Sequence, residues 1–334
     1  MAVYTHVDDA QLDGFLAAYD LGAARTFKGI AEGVENSNYY LETEAGRYIL
    51  TLFERRADPE DLPYFMALKR HLAGKGFPCP QPVAGRDGAV LRPLAGRTAV
   101  LVTFLDGLSP RTPNVRQCRA LGAGLAQMHR ALADFPMTRR NSLGPWAWRG
   151  LWSGRASDAE GLEPGLSGEI DGDLAAIQGA KGQTDTLPRG TIHADLFPDN
   201  AFFLADEFSG AIDFYFACTD VLAYDLAVCL NAWAFEEGGW STGLQFNYSK
   251  GAAVVAGYQS VRPLAADERA ALPLLARGAA LRFFLTRLVD WSDTPADALV
   301  RPKNPLDYAQ RLRFHRQAAG PADYGCDVGK AGNG

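Results

Sequence analysis

Apolar positions change their spacing along the chain, and each change marks a change of structure. Near the start Leu12, Phe15, Leu16 and Tyr19 recur at helical intervals, which predicts a helix over residues 8–19. Three short alternating runs follow, "RTFKGI", "SNYYLET" and "RYILTLFE", and read as antiparallel strands. In "DPEDLPYFMALKRHLAGKG" Asp58 is placed to cap a helix, Pro59 lies in its first turn, and Gly74 and Gly76 stop it. After a break at "FPCPQPV", the stretch "AVLRPLAGRTAVLVTFL" supplies two more strands about a glycine turn. The sum is a five-stranded antiparallel sheet with one inserted helix, ending near Leu105.

From "PNVRQCRALGAGLAQMHRALADF" onward the period is helical, and it is helical again in "YDLAVCLNAWAFE", "SKGAAVVAGYQSV", "DERAALPLLARGAALRFFLTRLVDW" and "NPLDYAQRLRFHRQA". Short strands interrupt it at "GTIHADL", "NAFFLA" and "GAIDFY". The expected class is therefore α+β: a β-rich unit over residues 1–105, joined through "FLDGLSP" to a larger, mostly helical unit over 106–320. The Gly-rich end, 321–334, is expected to fray. Residues 147–188 show no clear period.

Composition narrows the partners. The chain has 334 residues, 47% of them hydrophobic, and a net charge of -6 with scattered Lys and Arg, so it carries no footprint for nucleic acid or an anionic membrane. A small-molecule substrate is expected. The cysteines, Cys79, Cys118, Cys218, Cys229 and Cys326, show neither CxxC spacing nor a Cys/His cluster, and read as reduced thiols of a cytoplasmic protein. The N-terminus lacks a basic segment followed by an apolar core, and no run approaches 18 apolar residues.

Chemistry concentrates in "TIHADLFPDN", residues 191–200, and "AIDFYF", residues 211–216. Phosphoryl transfer needs in-line positioning, magnesium to neutralise phosphate oxygens, and a carboxylate to orient the acceptor hydroxyl. Asp195 is the candidate base, Asn200 a neutral oxygen ligand for Mg2+, and Asp213, on the far strand of a hairpin, the metal carboxylate. Taken singly, each has a plainer reading: Asp195 and Asp199 capping a turn, His193 hydrogen-bonded in the core, Asp213 ending a strand. The full set with its strand context favours a reaction centre. A metal-dependent hydrolase is the alternative from another class, but it wants a second histidine, and His6, His71, His129 and His315 show no companion spacing.

"HADLFPDN" followed by "IDFYFACTDVLAYDLAVCLNAW" resembles the phosphotransferase family of aminoglycoside and choline kinases, which is related to the protein kinases. Within it the chain is similar to the bacterial type II homoserine kinase group through "KGIAEGVENSNYYLET", "YILTLFE", "GYQSVRPL" and "ALRFFLTRLVDW". The resemblance spans nearly all of residues 1–315 and implies a bilobal protein-kinase-like fold, ATP and Mg2+ as cofactors, and L-homoserine as acceptor; an aminoglycoside or choline is the alternative. It gives Asp195 the role of base, Asn200 and Asp213 that of magnesium ligands, and His193 that of bracing the catalytic loop. Ala194 stands where many protein kinases carry an arginine, so an enzyme without an activation switch is expected.

The same resemblance lays "GIAEGVENSN" over the nucleotide phosphates, with Gly29 and Gly33 for close approach and Asn36, Ser37 and Asn38 as donors. Standing alone, that stretch would be an ordinary hairpin loop. Adenine would lie against residues 102–107, using the backbone around Thr103 and Leu105. Thr51 occupies the third-strand position where many relatives carry a phosphate-binding lysine, leaving Arg47, Arg55 and Lys69 as possible replacements and Glu60 or Asp61 as the helix acid. For a homoserine zwitterion the candidate contacts are Arg282, Arg287, Asp220, Asp225 and Asn231, with helix capping as a structural alternative for Asp225. "EIDGDL" reads as a solvated helix start and "WAWRGLW" as packing. A monomer or a homodimer is expected.

Overall fold

A computed structural model describes residues 4–30, 36–54, 58–238, 243–295 and 302–325. The chain divides into two compact units, Met1–Asp106 with Gly210–Tyr215, and Gly107–Ser209 with Phe216–Gly334.

In the first unit α1 (Asp9–Leu16) begins at Asp8, whose carboxylate accepts from the Gln11 N–H while the Gln11 side chain accepts from the Asp8 N–H. The strands β1 (Ala24–Gly29), β2 (Ser37–Thr43) and β3 (Arg47–Phe53) precede α2 (Leu62–Gly74), and β4 (Leu91–Leu94) and β5 (Arg97–Thr103) follow it. All pairings are antiparallel, in the order β1-β2-β3-β5-β4. β2 alternates buried and half-buried positions, so one face meets the core. Leu12, Phe15, Leu16 and Tyr19 of the first helical stretch pack there against Leu41, Leu50, Leu52 and Leu101. The β4–β5 turn places Ala95 and Gly96 at φ 48° and 75°, a two-residue turn that matches strand twist. α2 starts later than its sequence suggests: Asp61 is the N-cap and Pro63 lies in the first turn, while Asp58 and Pro59 form a preceding turn.

The second unit opens with α3 (Val115–Ala131), capped reciprocally by Asn114 and Gln117. The stretch without a clear period holds α4 (Pro145–Trp152), α5 (Ala156–Leu162) and α6 (Leu166–Gly179). Four short strands follow, β6 (Arg189–Ile192), β7 (Ala201–Leu204), β8 (Glu207–Ala211) and β9 (Cys218–Val221); β6 pairs with β9, and β7 with β8. Then come α7 (Leu222–Trp233), the hairpin β10 (Phe235–Glu237) and β11 (Leu244–Phe246), α8 (Tyr248–Val261), α9 (Ala266–Asp293) and α10 (Leu306–Gln317). α3 and α8 touch at backbone level: a Cβ on Gly122 would run into the Val254 carbonyl, and one on Gly257 into the Arg119 carbonyl.

Two expectations change here. "EIDGDL" lies inside α6 and is not a solvated start: Asp173 is fully buried, and Arg277 and Arg316 donate to it at 2.7 and 2.9 Å. The terminal stretch is ordered at its beginning, where Pro321–Tyr324 form a 3₁₀ turn and buried Tyr324 meets His315 Nδ1 at 2.9 Å. Residues 326–334, including Cys326, lie outside the described residues. The other four cysteines are free and buried. Burial pushes the Cys79 thiol up to about 11 and those of Cys118 and Cys218 to about 12, as inert thiols require. Trp148 and Trp152 are buried, as packing residues should be, whereas Trp146 is exposed beneath the Arg140 guanidinium. Among the described residues no helix is long and apolar enough to cross a membrane.

Candidate active site

β6 ends at Ile192, and residues 193–197 form an irregular loop before a single turn, Pro198–Asn200, enters β7. α7 holds this loop from behind. Asp225 and Trp233 both belong to that largely apolar helix, eight residues apart. Fully buried Asp225 accepts from the His193 N–H at 2.7 Å and from the Ala194 N–H at 2.8 Å. Trp233 Nε1 donates to the Leu196 carbonyl at 2.8 Å. Ala194 is thereby kept at φ 64°, a conformation few non-glycine residues adopt without such support.

From α3, His129 places Nε2 3.0 Å from Asp225 Oδ2. Burial works to raise the Asp225 pKa, but the hydrogen bonds it accepts from His129 and from the His193 amide hold it below the usual carboxylate value. An anion here gives the two loop amides a strong acceptor.

The loop in turn presents Asp195. Its Oδ1 lies 3.3 Å from Arg282 Nη1, and Asn200 Nδ2 stands 2.8 Å from its carbonyl and 3.3 Å from its Oδ2. Arg282, on α9, is 4% exposed, with its guanidinium 3.8 Å from the Phe283 ring centroid and 5.2 Å from that of Phe216. The catalytic candidates Asp195 and His193, the metal-ligand candidate Asn200 and the acceptor candidate Arg282 thus share one region of the helical unit. His193 is buried, and its Nδ1 accepts from the Asp195 N–H at 3.3 Å.

The remaining acceptor candidates are engaged with other partners. Arg287 binds Asp307 and the Asn304 carbonyl. Asp220 pairs with Asn141 and Arg189. Asn231 is buried; its Nδ2 donates to the Ala227 and Ala276 carbonyls and its Oδ1 faces His315 Nε2. Asp225 and Asn231, expected among the substrate contacts, are instead interior groups whose oxygens are already engaged. Nor does Asp225 cap α7, whose N-cap is Val221.

In the sheet unit, Gly29 ends β1, and Gly33 lies outside the described residues. Ser37, expected to face phosphate, is buried, accepts from the Tyr4 and Thr5 N–H groups and donates to Glu54, so here its hydroxyl braces the N-terminal segment. Asn36 Oδ1 accepts from the Glu54 N–H, and Asn38 Oδ1 accepts from Thr51 Oγ1 at 2.7 Å. Thr103 closes β5, where its hydroxyl accepts from the Gln81 N–H, and the Leu105 side chain lies against Gly210. α2 carries no acidic residue, since Glu60 and Asp61 precede it. It carries a buried cation: Lys69 Nζ lies 3.2 Å from the Tyr215 hydroxyl and over that ring. Asp213 belongs to the Gly210–Tyr215 segment that joins this unit, and it takes φ 59°.

Asn200 uses Nδ2 toward Asp195, which leaves its amide oxygen, a hard donor of the kind magnesium takes; Asp213, in the other unit, carries a carboxylate of the same hard class. Among the described residues no group of three His, Cys, Asp or Glu is placed to hold a metal.

Known proteins resemble the chain closely. Residues 26–264 match the phosphotransferase enzyme family (APH). A homoserine kinase of Hyphomonas neptunium is 66% identical over 97% of this chain and 100% of its own length. Among solved structures, an amicoumacin kinase in complex with AMP-PNP and Ca2+ has a TM-score of 0.67 at 17% identity, covering 92% of each chain. A choline kinase of Cryptosporidium parvum has a TM-score of 0.65 at 13% identity, over 93% of this chain and 95% of its own. The two structural likenesses show the fold, α+β and protein-kinase-like.

Proposed function

The chain belongs to the phosphotransferase enzyme family and, within it, to the homoserine kinases, and on that premise we propose that Asp195 is the general base and Arg282 its partner in holding the acceptor. The reaction is ATP-dependent transfer of the γ-phosphate to the hydroxyl of L-homoserine, giving O-phospho-L-homoserine and ADP. As the acceptor oxygen bonds to phosphorus, its proton passes to the Asp195 carboxylate, and the bond to the β,γ-bridging oxygen breaks with its electron pair leaving on ADP. Arg282 and Asn200 fix the two carboxylate oxygens so that one rotamer meets the hydroxyl. The Arg282 guanidinium also offers a planar fork for the acceptor's own carboxylate. Asn200 and Asp213 would hold Mg2+, which when bound neutralises charge on the phosphate oxygens. Asn36, Asn38 and the glycines beside them would cover the phosphates, with Lys69 as the buried cation of that unit in place of a lysine at Thr51.

The observation that carries this reading is the Asp195 carboxylate bonded at both oxygens on a loop that Asp225 and Trp233 pin from behind. Asp195→Asn and Asp213→Ala should each abolish homoserine-dependent ADP release, about a thousandfold or more, with thermal unfolding retained. An active Asp213→Ala enzyme refutes its metal role, and an active Asp195→Asn enzyme refutes the base.

A further inference from the structure

Away from Asp195, the helical unit contains a cavity of about 480 Å³. Its lining includes Arg130, Arg189 and Arg262 but no aspartate or glutamate, and much of the rest is apolar, as at Leu132, Phe135 and Val261. Arg189 and Arg262 have acidic partners, Asp220 and Glu268, but both acids stand outside the lining. Arg130 makes no ion pair among the described residues. A positive, partly apolar hollow of this size is the shape of a small-molecule site.

The wall of the cavity leads directly to the catalytic loop. Thr191 belongs to β6 and precedes His193 by two residues. His129, also in the lining, is the residue that bonds Asp225. A line of hydrogen bonds joins them to the arginine at the rim. Arg262 Nη1 donates to the Tyr258 hydroxyl at 3.1 Å, that hydroxyl meets His129 Nδ1 at 2.8 Å, and His129 Nε2 reaches Asp225 at 3.0 Å. A neutral imidazole satisfies the whole line: Tyr258 donates to Nδ1, and the proton on Nε2 goes to Asp225. Each donor therefore points from the cavity toward the loop, and the Arg262–Tyr258 bond is the link that a ligand can reach. Arg262 Nη1 is shared between Tyr258 and Glu268 at 2.9 Å, so its hold on Tyr258 is already divided.

We propose that this cavity is a second ligand site, for a small organic anion with an apolar body, and that its occupancy lowers turnover by drawing the Arg262 guanidinium off Tyr258. The anion takes the charge of Arg130, Arg189 and Arg262, and the apolar body takes the wall. Released from Arg262, the Tyr258 hydroxyl no longer directs its proton to His129, and the Asp225 clamp on the His193 and Ala194 amides loosens. The effect on turnover rests on the catalytic role given to the Asp195 loop; the site itself does not.

The test uses phenyl phosphate and benzoate as anionic probes, with benzyl alcohol and inorganic phosphate as controls, on the full chain. Calorimetry should show one site for both aromatic anions, weakened about tenfold in Arg130→Ala. Saturating probe should lower kcat about fivefold without raising KM for ATP or homoserine. Ala133→Trp, which puts an indole into the cavity, should bind neither probe while keeping its melting temperature within a few degrees. Competition with ATP or homoserine, equal binding of inorganic phosphate and phenyl phosphate, or unaltered binding in Ala133→Trp overturns the proposal. Titration of the Asp195→Asn protein separates the two readings. Probe binding to a protein that still turns over leaves the cavity standing and sinks the base; a dead protein that binds no probe does the reverse.

Discussion

Replacing Asp225 by Asn keeps the shape of the side chain and removes its charge, so it isolates what the carboxylate does. Three donors converge on it, from His193 at 2.7 Å, Ala194 at 2.8 Å and His129 at 3.0 Å. An amide has one acceptor oxygen, so at least one of these donors must face an NH2 group. Each hydrogen bond to a charged group contributes about 1.5–3 kcal/mol, and a stranded buried donor costs about 1–3 kcal/mol. Relief from burying an ion offsets part of that loss, which leaves a net destabilisation of about 2–4 kcal/mol. Because Ala194 sits at φ 64°, the backbone relaxes when its amide loses its acceptor, and Asp195 moves with it. A displacement of about 1 Å at a reacting group costs about a hundredfold in rate. Urea titration followed by tryptophan fluorescence reads the stability, since buried Trp233 donates to the same loop. Coupled ADP release at saturating ATP and homoserine reads kcat. An Asp225→Asn enzyme with an unchanged urea midpoint and kcat within about threefold of the parent would refute the clamp.

Arg282→Lys keeps the charge but loses the planar fork, so KM for homoserine should rise at least about tenfold with KM for ATP little changed; the reverse pattern would place Arg282 on the nucleotide side. Burial, aided by the charges of Arg311 and Arg277, lowers the His315 pKa from 6.5 to about 3, so the folded chain keeps this ring neutral while the unfolded chain protonates it. Stability should therefore fall as pH drops below about 6.5, by about 1.4 kcal/mol per unit, and His315→Gln should flatten that slope between pH 6.5 and 4.5 in urea titrations.

The elements legible from sequence are those that a local pattern dictates. The alternation of "SNYYLET" gave β2 its bounds, and the acid–amide interval of "HADLFPDN" marked the loop that carries Asp195. What stayed hidden depends on partners distant in sequence. Asp225 anchors residues 31 and 32 positions away, and only the approach of α7 to the loop makes that bond. A signal existed: a charged residue inside the apolar run "LAYDLAVCLNAW" calls for a buried partner. α6 escaped notice because its buried Asp173 is matched by arginines about 100 and 140 positions away, so the helix looks polar until α9 and α10 are in place. Two cap-like pairs in series, Asp58–Pro59 and Asp61–Pro63, misplaced the start of α2. β10 and β11 have three residues each, too short to show a period.

The glycines where α3 and α8 meet have an effect beyond packing. Gly257 is adjacent to Tyr258, and main chain, not side chains, decides how near the two axes come. The phenol's span to the imidazole is thus a fixed dimension of the frame, insensitive to repacking of neighbouring leucines or valines. A single methyl at position 257 would lengthen it, severing communication across the seam while every polar residue involved remained in place.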